Sequence, residues 1–212
     1  MNGNQIRGNR YRKNLRNTAC AFLMALPTLV MAAATPGDKA PDFSEVDAAG
    51  KTHSLADYAG EWLVVEWFNK DCPYVKKHYG SGNMQALQKK YTDADINWLT
   101  VISSAKGKQG YLEPAEALEV AKSHNLNASA PFLLDADGSM GRAYGAKTTP
   151  HMFIINPQGQ VVYAGAIDDN DSANPAVIPD SNNYVAAALD ASLAGKAVDT
   201  ASSRAYGCSV KY

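Results

Sequence analysis

Between Trp62 and Phe68 the chain is apolar, β-branched or aromatic at every position except Glu66. Polar Asn69-Lys70-Asp71 then leads into Cys72-Pro73 and a segment with helical spacing. An apolar run of that length predicts a strand covered on both faces. Pro73 suits the first turn of a helix, where a backbone N–H has no partner in any case. The sequence therefore predicts Cys72 at a strand-to-helix junction, at or beside the N-cap. Unpaired amides and the positive end of the helix dipole there favour a thiolate, which is a nucleophile at neutral pH. Without that context Cys72 reads as a small buried hydrophobe; the context favours redox chemistry. Glu66 is costly inside such a strand unless it is paired, as in a salt bridge at the strand end, or functional.

Residues 1–34 have the pattern of a secretory signal. Arg7, Arg10, Arg12, Lys13 and Arg16 form a basic region, Ala19 to Ala33 an apolar run, and Ala32-Ala33-Ala34 a small-residue cleavage pattern. The apolar run is short for a membrane span and is interrupted by Pro27, so a membrane association is expected only if the segment stays uncleaved. Cys20 falls inside the discarded segment. Cleavage removes five of the 20 basic residues, leaving 15 against 21 acidic ones, a net charge of about −6 that argues against nucleic acid as a partner. Two cysteines remain, Cys72 and Cys208. They are too few for a disulfide scaffold, so a core must carry the fold, although a periplasmic or secreted location permits a disulfide.

The mature chain alternates strand and helix patterns. Short strands are expected at Asp42–Val46, as an edge strand, and at Lys51–Leu55. Further strands are expected at Trp62–Phe68, Ile96–Ile102 and Phe132–Leu134. Helices are expected from Cys72 to about Tyr79, over Asn83–Tyr91, from Pro114 to about His124 and from about Asn182 to Leu193. Met152–Ile155, the turn Asn156-Pro157-Gln158-Gly159 and Gln160–Ala164 read as a hairpin. Pro150 stands just before its first strand, where a cis X-Pro bond is a plausible feature. Asp135-Ala136-Asp137-Gly138 resembles half a calcium loop but lacks the later ligands and reads as a turn. His53, His78 and His124 show no metal-ligand spacing, and no cofactor motif or metal site is expected. A copper site from Cys72, Cys208 and His151 is conceivable on ligand softness, but the spacing does not demand one. Lys70, Lys76 and Lys77 read either as positive charge near the thiolate or, by default, as solvated helix-face charges. The pattern as a whole predicts an α/β domain with a mixed sheet over residues 35–195 and a C-terminal tail, 196–212, that carries Cys208.

Over residues 36–195 this order resembles the thioredoxin superfamily, and within it the peroxiredoxin-like redoxins of the alkyl hydroperoxide reductase/thiol-specific antioxidant type. Four features carry the resemblance: the strand into Cys72-Pro73, Glu66 six residues earlier, Thr149-Pro150 before a strand, and the Asn156–Gly159 hairpin. A set of peroxiredoxin-like proteins shares an Asn-x-x-Cys-Pro site, here Asn69 to Pro73, and the ending Tyr206-Gly207-Cys208-Ser209-Val210-Lys211-Tyr212. The resemblance implies a thioredoxin-like fold with a central mixed sheet flanked by helices, an N-terminal strand extension and a C-terminal tail. It implies a buried acid, Glu66, that accepts a proton beneath the thiol, and a cis-proline, Pro150, facing Cys72. The sequence also departs from the relatives. The second cysteine of a Cys-x-x-Cys site is missing, and Val65 and Asn69 replace the proline and threonine of the peroxidatic motif. Asn69 can still hydrogen-bond a peroxide or the thiolate, and Arg142 is the positional candidate for the arginine that polarises the peroxide.

Three readings remain open. The first is a thiol-dependent oxidoreductase, peroxidase-like, with Cys72 as nucleophile and Cys208 as resolving thiol, within the chain or across a subunit contact. It would use a peroxide or disulfide substrate and an unidentified thiol electron donor. The second is a thiol–disulfide exchange protein acting on protein substrates. The third is a non-catalytic thioredoxin-fold binding module or metal carrier. His151, after the expected cis-proline, is either a neighbour of Cys72 that lowers its pKa or a core histidine.

Overall fold

The structure is a computed structural model that describes residues 1–3, 33–126 and 130–212. The described residues from 33 to 212 form one compact unit. The basic and apolar stretches of the expected signal, with Cys20, lie outside the described residues. Among the described residues no helix is long and apolar enough to cross a membrane.

Five strands, β3 (Leu63–Trp67), β4 (Asn97–Ile102), β5 (Phe132–Leu134), β7 (His151–Ile155) and β8 (Val161–Gly165), form the central sheet in the order β5-β4-β3-β7-β8. The β3, β4 and β5 strands run parallel, β7 is antiparallel to β3, and β8 closes the expected hairpin. The sheet is mixed, as the alternation of patterns predicted. Strand β3 shows why its run is nearly all apolar. Val64, with Phe68 just beyond the strand, packs among α1 (Pro73–Gly80), α2 (Asn83–Thr92), α3 (Pro114–Ser123) and α5 (Tyr184–Leu193). Leu63, Val65 and Trp67 face the opposite side, against Phe43, Met140 and Tyr144. Both faces are buried, so the two-residue alternation of a half-solvated strand has no reason to appear.

Local chemistry sets the helix boundaries. Pro73 opens α1 after an extended Cys72, and Pro114 opens α3 beneath a Glu113/Glu116 capping box. Asn183 caps α5 through its side chain, which starts that helix one to two residues later than the sequence pattern suggests. A helix that periodicity could not reveal, α4 (Ser139–Tyr144), follows the Asp135–Gly138 turn. Its six residues are too short to show a 3.6-residue repeat, and it is held by Met140 and Gly141 amides donating to the Asp135 carboxylate. The N-terminal strands β1 (Ser44–Val46) and β2 (Thr52–Ser54) do not extend the central sheet. They pair with each other and meet its β5 edge through an Asp47–Leu133 bridge and the Ala48 amide donating to the Phe132 carbonyl at 2.9 Å. A second small sheet pairs β6 (Thr148–Thr149) with β9 (Cys208–Ser209), from the tail. Residues 201–203 also bond to β8, through Ala164 N–H to Ala201 and Ser203 N–H to Ala164. The tail is therefore part of the packed fold. The arrangement is thioredoxin-like, as the resemblance implied.

Candidate active site

Cys72 is the N-cap of α1 and is fully buried. The loop that delivers it is closed by its own amide donating to the Asn69 carbonyl at 3.0 Å. Its Sγ donates to the Thr149 carbonyl at 2.9 Å, and the Cys208 amide donates to the same sulfur at 3.4 Å. Thr149 precedes Pro150 across a cis bond and is the antiparallel bridge partner of Cys208. Two free cysteines 136 residues apart in sequence thus meet at the cis-proline loop.

Burial pushes the Cys72 thiol up, but hydrogen bonds outweigh it. They come from the Cys208 thiol, the Val75 and Cys208 amides and the Thr149 side chain, and the net shift is downward. Val75, at the third helical position, contributes its amide dipole without closing a full capping bond. The Thr149 carbonyl works in the other direction, because it accepts the S–H of the neutral thiol. Cys208 is pushed up to about 11 by burial and by donating to its partner sulfur, with a small opposing effect of Lys211. The two thiols titrate as a pair, the bond between them moving Cys72 down and Cys208 up.

The tail is fitted residue by residue to this position. A Cβ at Gly207, which has φ +139°, would collide with the Thr149 carbonyl oxygen, the acceptor of the Cys72 thiol, so only glycine lets the tail approach so closely. Beyond Cys208, the Val210 amide donates to Lys147, and Lys211 accepts from the Ala105 amide. The Tyr212 hydroxyl donates to Ala146 at 2.8 Å, and Arg142 stacks on its ring at 4.6 Å. On the other flank, Tyr206 enters a buried polar cluster made by Lys77 and His78 of α1 and Asp168 beyond β8.

The remaining predicted residues are placed differently. Glu66 is fully buried, yet it makes no ion pair. Tyr79 donates to one carboxylate oxygen at 2.8 Å, and Trp98 and Gln88 donate to the other at 3.0 and 3.3 Å. Burial pushes its pKa up to about 7 against those three donors, a value suited to proton exchange near neutrality. Asn69 is buried with its side chain already engaged: Oδ1 accepts from the Asp71 amide at 2.9 Å, and Nδ2 reaches the Gln109 carbonyl at 3.4 Å. Gly110 packs against that amide so closely that a Cβ would overlap it. Asn69 therefore shapes the loop into Cys72, and its bonds in this structure go to Asp71 and Gln109. His151 is buried against the Phe153 ring, at 4.6 Å, and accepts from the Lys147 amide; burial pushes it down to about 4, so it is a neutral core histidine. Arg142 bonds to the Asp137 carbonyl and to Tyr212 rather than to the cysteines.

Lys77 departs most from expectation. It is not a solvated helix-face charge; it is 1% exposed, because the Asp168 loop and the tail cover that side of α1. Among the described residues no cluster of three or more metal-ligating side chains forms. Neither Tyr206 nor Asp168 is among the site residues expected from the sequence. The signal present in the sequence was a glycine directly before the tail cysteine, preceded by a tyrosine.

A sequence profile of the AhpC/TSA family matches residues 36–164. The chain is 28% identical over 126 residues to the thiol-disulfide oxidoreductase ResA of Bacillus subtilis, a match covering 59% of this chain and 64% of ResA, so it spans just under two thirds of that relative. It is 27% identical over 137 residues to a protein of Mycobacterium tuberculosis provisionally named a peroxiredoxin, covering 64% of this chain and 80% of that one. Among solved structures, a hypothetical protein of Sinorhizobium meliloti 1021 superposes with a TM-score of 0.69 at 27% identity, covering 85% of this chain and 96% of the other.

Proposed function

From the premise that this chain belongs to the AhpC/TSA family of the thioredoxin superfamily, we propose that it is an exported thiol-dependent oxidoreductase that reduces peroxides through Cys72 and resolves through Cys208 of the same chain. The observation that carries the reading is the seating of Cys208 on Cys72, amide to sulfur, across the Thr149 bridge.

The chemistry runs in two balanced steps. The Cys72 thiolate attacks a peroxide oxygen. An S–O bond forms, the O–O bond breaks, and the leaving alkoxide or hydroxide takes a proton and departs as alcohol or water. Cys72 is oxidised by two electrons to the sulfenic acid. The Cys208 sulfur then attacks Cys72 Sγ, an S–S bond replaces the S–O bond, and water leaves with the Cys208 proton. An external thiol donor returns the disulfide to two thiols. Glu66 serves as a proton store on the helix side of the sheet, and Thr149 and Pro150 form the loop that positions both sulfurs. Asn69 holds the turn rather than the peroxide.

Export rests on the sequence of residues 1–34, and an oxidising compartment outside the cytoplasm suits a two-cysteine centre. In this reading residues 35–195 are the catalytic domain and 196–212 the resolving tail. The likeness to ResA favours a second reading, exchange with protein disulfides, but a protein partner would have to displace the tail that buries Cys72.

Peroxide consumption by the mature protein with a dithiol reductant tests the proposal. Cys72→Ser is expected to abolish turnover, whereas Cys208→Ser, reduced and then freed of reductant, is expected to reduce one peroxide per chain and to have Cys72 trapped by a sulfenic acid reagent. Turnover that survives Cys72→Ser would refute it. A stable mixed disulfide of the Cys208→Ser protein with a protein substrate, without any peroxide reaction, would put the exchange reading first.

A further inference from the structure

The most heavily buried ionic group in the described chain lies beside the cysteines and takes no part in the chemistry above. Lys77 Nζ donates to Asp168 at 3.0 Å, to the Asn170 carbonyl at 2.7 Å and to the Tyr206 hydroxyl at 3.3 Å, with the Lys77 and Asp168 side chains 0% and 3% exposed. Tyr206 Oη donates to Asp168 Oδ1. The fourth member is His78. Burial drives its pKa down to about 4, with Asp168 opposing and Lys77 assisting, so the ring is neutral. Its Nδ1 faces the Asn83 side-chain amide at 2.8 Å, a donor, which leaves the proton on Nε2 to be donated to Tyr206 at 3.2 Å. The phenol thus donates once and accepts twice, and its capacity is filled. Its ring is held at 5.5 Å from Tyr74 and 5.3 Å from the Lys77 ammonium.

Two features connect this cluster to the cysteine pair. Its members Lys77 and His78 belong to the helix whose N-cap is Cys72. Tyr206 stands two residues before Cys208, joined through Gly207, which can approach Thr149 only because it lacks a side chain. The helix that presents one sulfur therefore also grips the tail that presents the other. A buried ion pair is a poor source of net stability but a good one of fixed geometry, because each partner is costly to leave alone.

We infer that Lys77, His78 and Asp168 form a latch on Tyr206 that seats the tail strand, making Tyr206 a positioning residue for the resolving thiol. Closed, the latch holds Cys208 at Cys72 and shields Cys72 from solvent. Opened, it frees the tail and exposes Cys72. The inference rests on the in-chain pairing proposed above, not on peroxide being the oxidant.

The test is Tyr206→Phe in the mature protein, which removes one hydroxyl and keeps the ring. The equilibrium of the Cys72–Cys208 disulfide in glutathione buffers is measured together with the rate at which iodoacetamide alkylates Cys72 in the reduced protein. A lost hydrogen bond to charged partners predicts a 10- to 100-fold fall in the equilibrium constant, on the order of the known strength of such bonds. It also predicts faster alkylation, approaching the rate of Cys208→Ser carrying the same change. A purely structural tyrosine would lower the melting temperature without moving these two quantities in opposite directions. Values within about twofold of wild type in both, with the wild-type disulfide forming normally, would overturn the latch alone. A wild-type protein that forms no internal disulfide in any glutathione buffer would overturn the pairing, and the latch with it.

Discussion

Glu66 and Asp168 are both buried carboxyl groups on the side of the sheet where α1 packs, and they are provided for in opposite ways. Glu66 receives three neutral donors, from Tyr79, Trp98 and Gln88, and no cation. Asp168 receives the Lys77 ammonium and the Tyr206 hydroxyl. Neutral donors can be kept whether or not the carboxyl is ionised, so the charge of Glu66 is free to change. Lys77 and Asp168 are buried together, so that either is costly to leave without the other. One site is arranged to exchange a proton, the other to hold two chain segments together, and α1 contributes to both.

Lys77→Met disturbs this contrast most severely, because it leaves Asp168 without its cation. Loss of one partner of a buried pair is expected to cost about 3–5 kcal/mol, read as a lower midpoint in urea unfolding. An unchanged midpoint would mean that the pair is not buried in solution.

Glu66→Gln probes the site that lacks a cation. The folded-state pKa of Glu66, about 7, lies above its ordinary value of 4.5 because burial penalises the charged form. Folded protein therefore keeps a proton that unfolded chain has released. Its contribution to stability is whole below about pH 4.5 and lost as pH rises through about 7. The total loss is on the order of 3 kcal/mol. The Glu66→Gln variant is expected to lack that decline, so the two stability curves converge at low pH and diverge by pH 8. Parallel curves would contradict the assignment.

Gly207→Ala has the smallest expected effect on stability, about 1–3 kcal/mol, from a side chain placed at positive φ against the Thr149 carbonyl. Its informative consequence is local: the tail lifts, and amide hydrogen exchange at 206–212 accelerates while the central sheet stays protected. Uniform protection would show that the close approach is not needed.

The strand, the N-cap cysteine, the cis-proline position and the hairpin were legible because each is written in neighbouring residues. An apolar run, a Cys-Pro step or a turn tetrad is local chemistry. The latch is not local. Tyr206 meets Lys77 across 129 residues, and Cys72 meets Cys208 across 136. Nothing near Lys77 distinguishes it from its exposed neighbour Lys76, because what covers Lys77 is a loop and a tail from the other end of the chain. The side-chain partners of Asn69 and Glu66 escaped the sequence for the same reason: position along the strand and turn was readable, while the atoms that fill their hydrogen bonds come from Gln109, Tyr79, Gln88 and Trp98. The two short N-terminal strands were legible, but their pairing with each other was not, because three-residue strands carry too little pattern to specify a pairing.

The central claim, an in-chain redox pair, is tested most directly by treating reduced mature protein with one equivalent of hydrogen peroxide, quenching with an alkylating reagent and reading the thiols by non-reducing mass spectrometry. Such a pair predicts rapid loss of both free thiols, a monomer lighter by two hydrogens, and a cross-linked peptide containing Cys72 and Cys208. Two alkylated cysteines after exposure to peroxide, or a disulfide joining two chains, would contradict it.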